Sequence, residues 1–186
     1  NVLVKMTNQE QKFETAFTMA TSSIKYGPGV TREVGYDMNK LGSSRVMVVT
    51  DPNLSESEPV SIALEAFQDV DIETVLFDRA RVEPTDGSFK DVIKFAVDGN
   101  FDGFLGIGGG SSMDTAKIAN LFSTYPADFL TYVNAPIGKG QPVPGPLKPM
   151  IAIPTTAGTG SETTGVAIFD LEAMHAKTGI AHRALR

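Results

Sequence analysis

The sequence predicts an α/β fold, a parallel sheet with flanking helices, and three observations carry that prediction. Short β-branched runs alternate with amphipathic helical stretches along the chain. That alternation builds βαβ units with right-handed crossovers and a sheet covered on both faces. The glycine-rich run Gly106-Ile-Gly-Gly-Gly110 joins an apolar run to a helical pattern, and Pro154-Thr-Thr-Ala-Gly-Thr-Gly-Ser-Glu162 follows another apolar run. Both loops then fall at the carboxyl ends of strands, where open sheets of this class hold their ligands.

The elements follow in order. Residues 1–13 mix polar and apolar types without a period and read as a leader or an edge strand. Ser22 to Tyr26 alternates like a short strand closed by Gly27-Pro28-Gly29. Val30, Val34, Met38 and Leu41 share one helical face, with Gly42 just past the end. Arg45 to Thr50 is a buried strand stopped by Asp51-Pro52. Glu58 to Val70 is helical, Ile72 to Phe77 a strand, and residues 79–86 a polar loop. A helix from Gly87 to Asp98 packs Val92, Ile93, Ala96 and Val97 inward. Residues 101–107 form the strand before the glycine loop, whose helix runs to about Thr124 with Ser111 as N-cap and Asp114 in a capping-box position. The proline-rich stretch up to Lys148 reads as a long connection, on the surface or in a binding role. Met150 to Ile153 is a further strand, and Val166–Phe169 and Lys177–Ile180 pair as a hairpin.

Composition narrows the function. The chain has 186 residues, enough for one sizeable domain. A net charge of −6 without a basic cluster argues against a nucleic-acid partner. The absence of cysteine excludes disulfides and thiolate metal sites. No apolar stretch is long enough for a membrane span, and no signal peptide is visible. The chain begins with Asn and stops at Arg186 without a helix stop, so a piece of a longer protein is expected.

The glycine loop reads as a pyrophosphate cradle. Glycines let the backbone approach a ligand, and a helix start offers free N–H groups and a partial positive charge. The hydroxyl-rich loop suits phosphate, ribose or amide oxygens, or else satisfies its own backbone. Asp51 ends its strand at the same edge. There a carboxylate either accepts from both ribose hydroxyls, favouring NAD over NADP, or merely starts an Asp-Pro turn. The usual dinucleotide fingerprint is incomplete, since Gly106-x-Gly108-x-x-Ser111 lacks its third glycine. His175 and His182 stand seven apart and make no helical metal pair. Lys177 could reach a phosphate or carboxylate, or be a solvated surface lysine.

Together, Gly108-Gly-Gly-Ser-x-x-Asp114-x-x-Lys117 and Pro154-Thr-Thr-Ala-Gly-Thr-Gly-Ser-Glu162 resemble the iron-containing alcohol dehydrogenase family, with Asp51 and Lys177 at matching positions. Ile24-Lys-Tyr-Gly, Arg81-Val-Glu-Pro-Thr-Asp86 and Ala135-Pro-Ile-Gly-Lys-Gly140 are similar to its branch that passes hydride between hydroxyacids and oxoacids. The resemblance implies a Rossmann-like N-terminal NAD-binding domain of the dehydroquinate synthase-like fold, here residues 1–186. It also implies a helical C-terminal domain holding divalent Fe or Zn through one Asp and three His. The Gly-x-Asp-x-x-x-His motif of those ligands does not occur in this chain. By the same resemblance Asp51 meets the adenosine ribose, and Gly109, Gly110 and Ser111 hold the pyrophosphate, with Asp114 counted among the cofactor positions. Thr155, Thr156, Thr164 and Val166 line the adenine or nicotinamide side, and Lys177 completes the pocket. Glu83 stands where relatives often carry Asn. The implied substrates are small hydroxyacids and oxoacids, such as 4-hydroxybutyrate and 2-oxoglutarate. The implied full-length protein is a homo-oligomer, mitochondrial in a eukaryote and cytoplasmic in a bacterium. An alcohol or polyol dehydrogenase and a non-catalytic nucleotide-binding module remain the alternatives.

Overall fold

The computed structural model describes residues 22–186; the expectation for residues 1–13 lies outside them. Four parallel strands form the main sheet: β1 (Arg45–Val49), β2 (Glu73–Phe77), β3 (Gly103–Gly108) and β4 (Met150–Pro154), in the order β2-β1-β3-β4. The helices are α1 (Val34–Lys40), α2 (Glu58–Gln68), α3 (Asp86–Gly99) and α4 (Gly110–Thr124). A separate antiparallel hairpin is formed by β5 (Val166–Leu171) and β6 (Ala176–Ala181), and short 3-10 turns occur among the described residues. The predicted α/β class and parallel sheet are present.

Pleating explains why the strands read as apolar runs. In β1, Val46 and Val48 face one core with Val34, Met38, Val60, Ala63 and Phe67 from α1 and α2. Met47 and Val49 face the other core, with Phe89 and Val92 of α3 and Ala116 and Phe122 of α4. Both faces are covered, so apolar residues are needed at every position. Helices α1 and α2 meet closely enough that a Cβ on Gly35 would stand 1.8 Å from the Ala66 carbonyl oxygen. Only a missing side chain permits that approach.

The hairpin packs on the α3–α4 side. Phe169 lies 5.3 Å, centroid to centroid, from both Phe89 and Phe129. The proline-rich stretch is therefore more than a surface connection. Its Tyr132, Val133 and Val143 are buried in the same core, and Asn134 clasps β6 by donating its amide to Gly179 O and accepting from Ala181 N. One expected element is missing: Ser22 to Tyr26 is not a strand. Ile24 and Tyr26 are 68% and 97% exposed, so alternation there has no apolar surface to cover. Lys25 instead binds Glu33 and Asp37 at 2.8 and 2.7 Å.

The sheet order reverses direction between β1 and β3. This switch point is where a crevice opens at the strands' carboxyl ends. At the opposite end, Asp102 ties β3 to β1, accepting from Ser44 N, Ser44 Oγ (2.7 Å) and Arg45 N (2.8 Å). Burial pushes this carboxyl up, but the hydrogen bonds from Ser44 and Arg45 together outweigh burial and hold it below its ordinary 3.8. A lowered carboxylate pKa contributes stability above the unfolded value and loses it as pH falls through the folded one. Asp102→Ala is therefore expected to cost about 1–3 kcal/mol at neutral pH. The difference from wild type should shrink below about pH 4 in urea unfolding. A penalty that does not change with pH would contradict this.

Candidate functional site

The glycine loop is shaped by what a side chain would hit. Gly108 has φ +144°, and a Cβ there would lie 2.6 Å from Ser112 Oγ. Gly109 is extended and serves as the N-cap of α4, without a side-chain cap. The sequence expectation of Ser111 as N-cap, boxed with Asp114, is thus corrected. The helix starts two residues earlier than expected, and buried donors draw Asp114 away from its start. The capping box in this fold is at α3, between Thr85 and Ser88. In α4, the Ser112 and Met113 amides bond to Gly109 O. The amides of Gly110 and Ser111 precede them at the mouth of the helix, where the macrodipole favours an anion.

The hydroxyl-rich loop meets this mouth. Thr155 N donates to Gly108 O at 2.9 Å. A Cβ on Gly109 would lie 3.5 Å from Thr156 Oγ1, and one on Gly110 would lie 3.1 Å from Thr159 Cβ and 3.2 Å from Ser161 Oγ. The two loops therefore share one rim, and a cradle of this size would be filled by added side chains. Asp51 is buried at the end of β1, and its Oδ1 accepts from Asn53 N at 2.9 Å, forming the Asp-Pro turn. Leu54 of that turn reaches within 3.4 Å of a Cβ placed on Gly108, which sets Asp51's turn beside the glycine loop. The neighbouring Thr50 Oγ1 is buried and has no protein partner.

Behind the rim is a buried polar cluster. Asp114 Oδ1 accepts from Ser161 Oγ at 2.9 Å and Oδ2 from Ile168 N at 3.1 Å. Lys117 Nζ donates to Thr164 O at 2.8 Å and Val166 O at 2.9 Å, with Asp114 Oδ1 at 3.6 Å. Burial pushes the Asp114 carboxyl up, against the Ile168 amide and Lys117. Burial likewise pushes the Lys117 ammonium down, against Asp114 and Glu162. Thr164 and Val166 therefore enter the cluster through their carbonyls. Sequence reasoning gave Lys117 no role. The available signal was an Asp–Lys i,i+3 pair flanked by Ala116, Ile118 and Ala119, a stretch with no solvent-facing side.

Lys177 lies elsewhere on the hairpin. It pairs with Asp170 at 2.9 Å, and that hydrogen bond, with Glu83 nearby, raises its pKa. Arg81, Glu83, Thr85, Glu172 and His175 line an open cleft of about 500 Å³ at this end. His182 Nδ1 accepts from Ala184 N. Among the described residues, no group of three or more His, Asp or Glu could hold a metal ion.

Residues 21–186 match the family described as iron-containing alcohol dehydrogenase. The chain belongs to the iron-containing alcohol dehydrogenase family. Its membership agrees with the resemblance carried by the two loops. The chain is 57% identical over 172 residues to the mitochondrial hydroxyacid-oxoacid transhydrogenase of Mus musculus, covering 92% of this chain and 37% of that protein. It is 48% identical to the probable mitochondrial hydroxyacid-oxoacid transhydrogenase of Dictyostelium discoideum, covering 92% of this chain and 34% of that one. It thus spans about a third of the length of these relatives. Among solved structures it is similar to a 1,3-propanediol oxidoreductase, with a TM-score of 0.82 and 26% identity over 91% of this chain and 44% of that one. A sulfoacetaldehyde reductase from Bifidobacterium kashiwanohense, in complex with NAD+, shares the fold at a TM-score of 0.80 and 23% identity, over 91% of this chain and 44% of that one.

The shared rim makes Gly110 a test of loop packing. Gly110→Val should push the 155–161 loop away, and hydrogen exchange of its amides should quicken while β1 and β3 amides keep wild-type protection. Unchanged exchange at 155–161 would show that the loops do not depend on each other.

Proposed function

We propose that this chain is the NAD-binding part of an enzyme that moves hydride from a small hydroxyacid to an oxoacid. The observation that carries the reading is the shared rim, where Thr155 N donates to Gly108 O and Thr156, Thr159 and Ser161 stand against the glycines that open α4. In this reading the Gly110 and Ser111 amides hold the pyrophosphate, as a helix start suits an anion. Thr155 and Thr156 orient the nucleotide, and Asp51 accepts from the adenosine ribose. Asp114 holds the loop from behind through Ser161, and Thr164 and Val166 shape the nicotinamide side. Lys177, engaged by Asp170, is assigned to the outer wall. NAD would supply a hydride acceptor at C4 of its nicotinamide.

Support for the transhydrogenase branch comes from these relatives, both hydroxyacid-oxoacid transhydrogenases by name, and from their 48–57% identity over most of this chain. The described residues do not fit a metal, and the ligands of the iron-containing family are proposed to lie outside these 186 residues. By extension from the relatives, the protein of a eukaryotic source is mitochondrial. The full-length protein is proposed to be a homo-oligomer.

The deciding experiment assays the metal-supplemented full-length protein with 4-hydroxybutyrate, with and without 2-oxoglutarate. Turnover that needs the oxoacid but no added NAD is the expected result. Turnover that needs added NAD and no oxoacid would instead make it an alcohol or polyol dehydrogenase. No turnover is expected from the 186 residues alone. Asp51→Gly should relax discrimination against NADP in the full-length protein, since it removes a charge that repels a 2′-phosphate. An unchanged NAD/NADP preference would take the ribose role from Asp51.

A further inference from the structure

We infer that Lys117 is a positioning residue that sets cofactor affinity by acting as a substitute strand edge for β5. The inference rests on the NAD reading above and goes beyond it.

In an antiparallel strand, alternate residues turn both N–H and C=O to the same side. Gly165 faces the β6 end of the hairpin, accepting from His182 N. Thr164, Val166 and Ile168 face the other way, toward α4. Among the described residues no strand lies there. From Thr164 to Ile168 the edge is met by two side chains one helical turn apart, before Asp170 N reaches Pro84 O: Lys117 Nζ donates to the carbonyls of Thr164 and Val166, and Asp114 Oδ2 accepts from the Ile168 amide. Donors thus meet two carbonyls and an acceptor meets an amide, as a neighbouring strand would offer.

This is a costly way to fill the space. The Lys117 side chain is only 2% exposed, and a methionine of similar length would fill a buried helix face without desolvating an ammonium. What methionine lacks is the pair of donors. Those donors fix the far end of the 155–165 loop, whose near end is fixed by Thr155 N on Gly108 O and whose middle is held by Ser161 on Asp114. All three anchors lie on the glycine loop or its helix. Lys117 therefore sets how far the threonine hydroxyls stand from the Gly110 and Ser111 amides, without reaching the rim itself.

The test uses full-length protein stripped of nucleotide and titrated with NADH, followed by fluorescence. Lys117→Met should raise the NADH dissociation constant by about tenfold or more, the scale expected for losing charge-assisted hydrogen bonds. Lys117→Arg, which keeps donors, should recover part of that loss. The turnover number at saturating cofactor should fall much less than affinity, and faster hydrogen exchange should be confined to residues 155–168. A folded Lys117→Met protein that binds NADH within twofold of wild type overturns the role. If Lys117→Met does not fold, Lys117→Gln, which removes the charge and most of the donors, decides by the same twofold criterion, and failure of both to fold assigns Lys117 to stability and overturns the proposal. Wild-type protein that does not bind NADH defeats the cofactor reading itself, and this inference with it; wild-type binding with unchanged variant binding defeats only Lys117's role.

Discussion

Helix α4 has no solvent side, and the rest of the site depends on that constraint. From Ser112 to Phe122 every residue is buried, because the sheet, α3 and the β5–β6 hairpin enclose it together. A polar group placed there must find its partner within the protein or carry the full cost of desolvation. Asp114, Lys117 and Asn120 all do so, with partners later in the chain: Ser161 and Ile168 for Asp114, Thr164 and Val166 for Lys117, and the Lys148 backbone for Asn120. The helix that opens at the glycine loop thereby fixes the chain from 148 to 168. One helix start and one distant loop become a single rim.

The sheet supplies the frame for that rim. Strand β3 lies between β1 and β4, so three carboxyl ends deliver the Asp51 turn, the glycine loop and the threonine loop side by side. Close approach depends on glycine at 108 and 110, where an added Cβ would crowd Ser112 and Thr159, whereas one on Gly109 would make only ordinary contact with Thr156. Family membership and the relatives' shared fold agree with this architecture. The hydroxyacid–oxoacid reading extends it to a whole protein, of which these residues are about a third of the relatives' length.

Much of this was legible in the sequence, for physical reasons. Strands buried on both faces must be apolar throughout, so β1 and β3 announce themselves, and the punctuation by Asp51-Pro52 and the glycines marks their ends. The hairpin was legible from two apolar runs around a polar turn. Local rules failed where distant partners decide. Ser111 has the chemistry of a cap, yet the backbone enters the helix at Gly109, and Asp114 serves Ser161 rather than the helix start. Ser22 to Tyr26 alternates without a sheet to receive it. Tyr132, Val133 and Val143 are buried without any period, so the proline-rich stretch could not be distinguished from a surface loop. Lys117 was silent because charge on a helix normally means solvent, and only the hairpin's position reverses that meaning.

A crystal structure of the full-length protein with NADH bound tests the shared rim most directly. The pyrophosphate is expected within hydrogen-bond distance of the Gly110 and Ser111 amides, with Thr155 or Thr156 on the nucleotide. A dinucleotide seated instead in the cleft among Arg81, Glu172 and His175, with the glycine loop untouched, would contradict it.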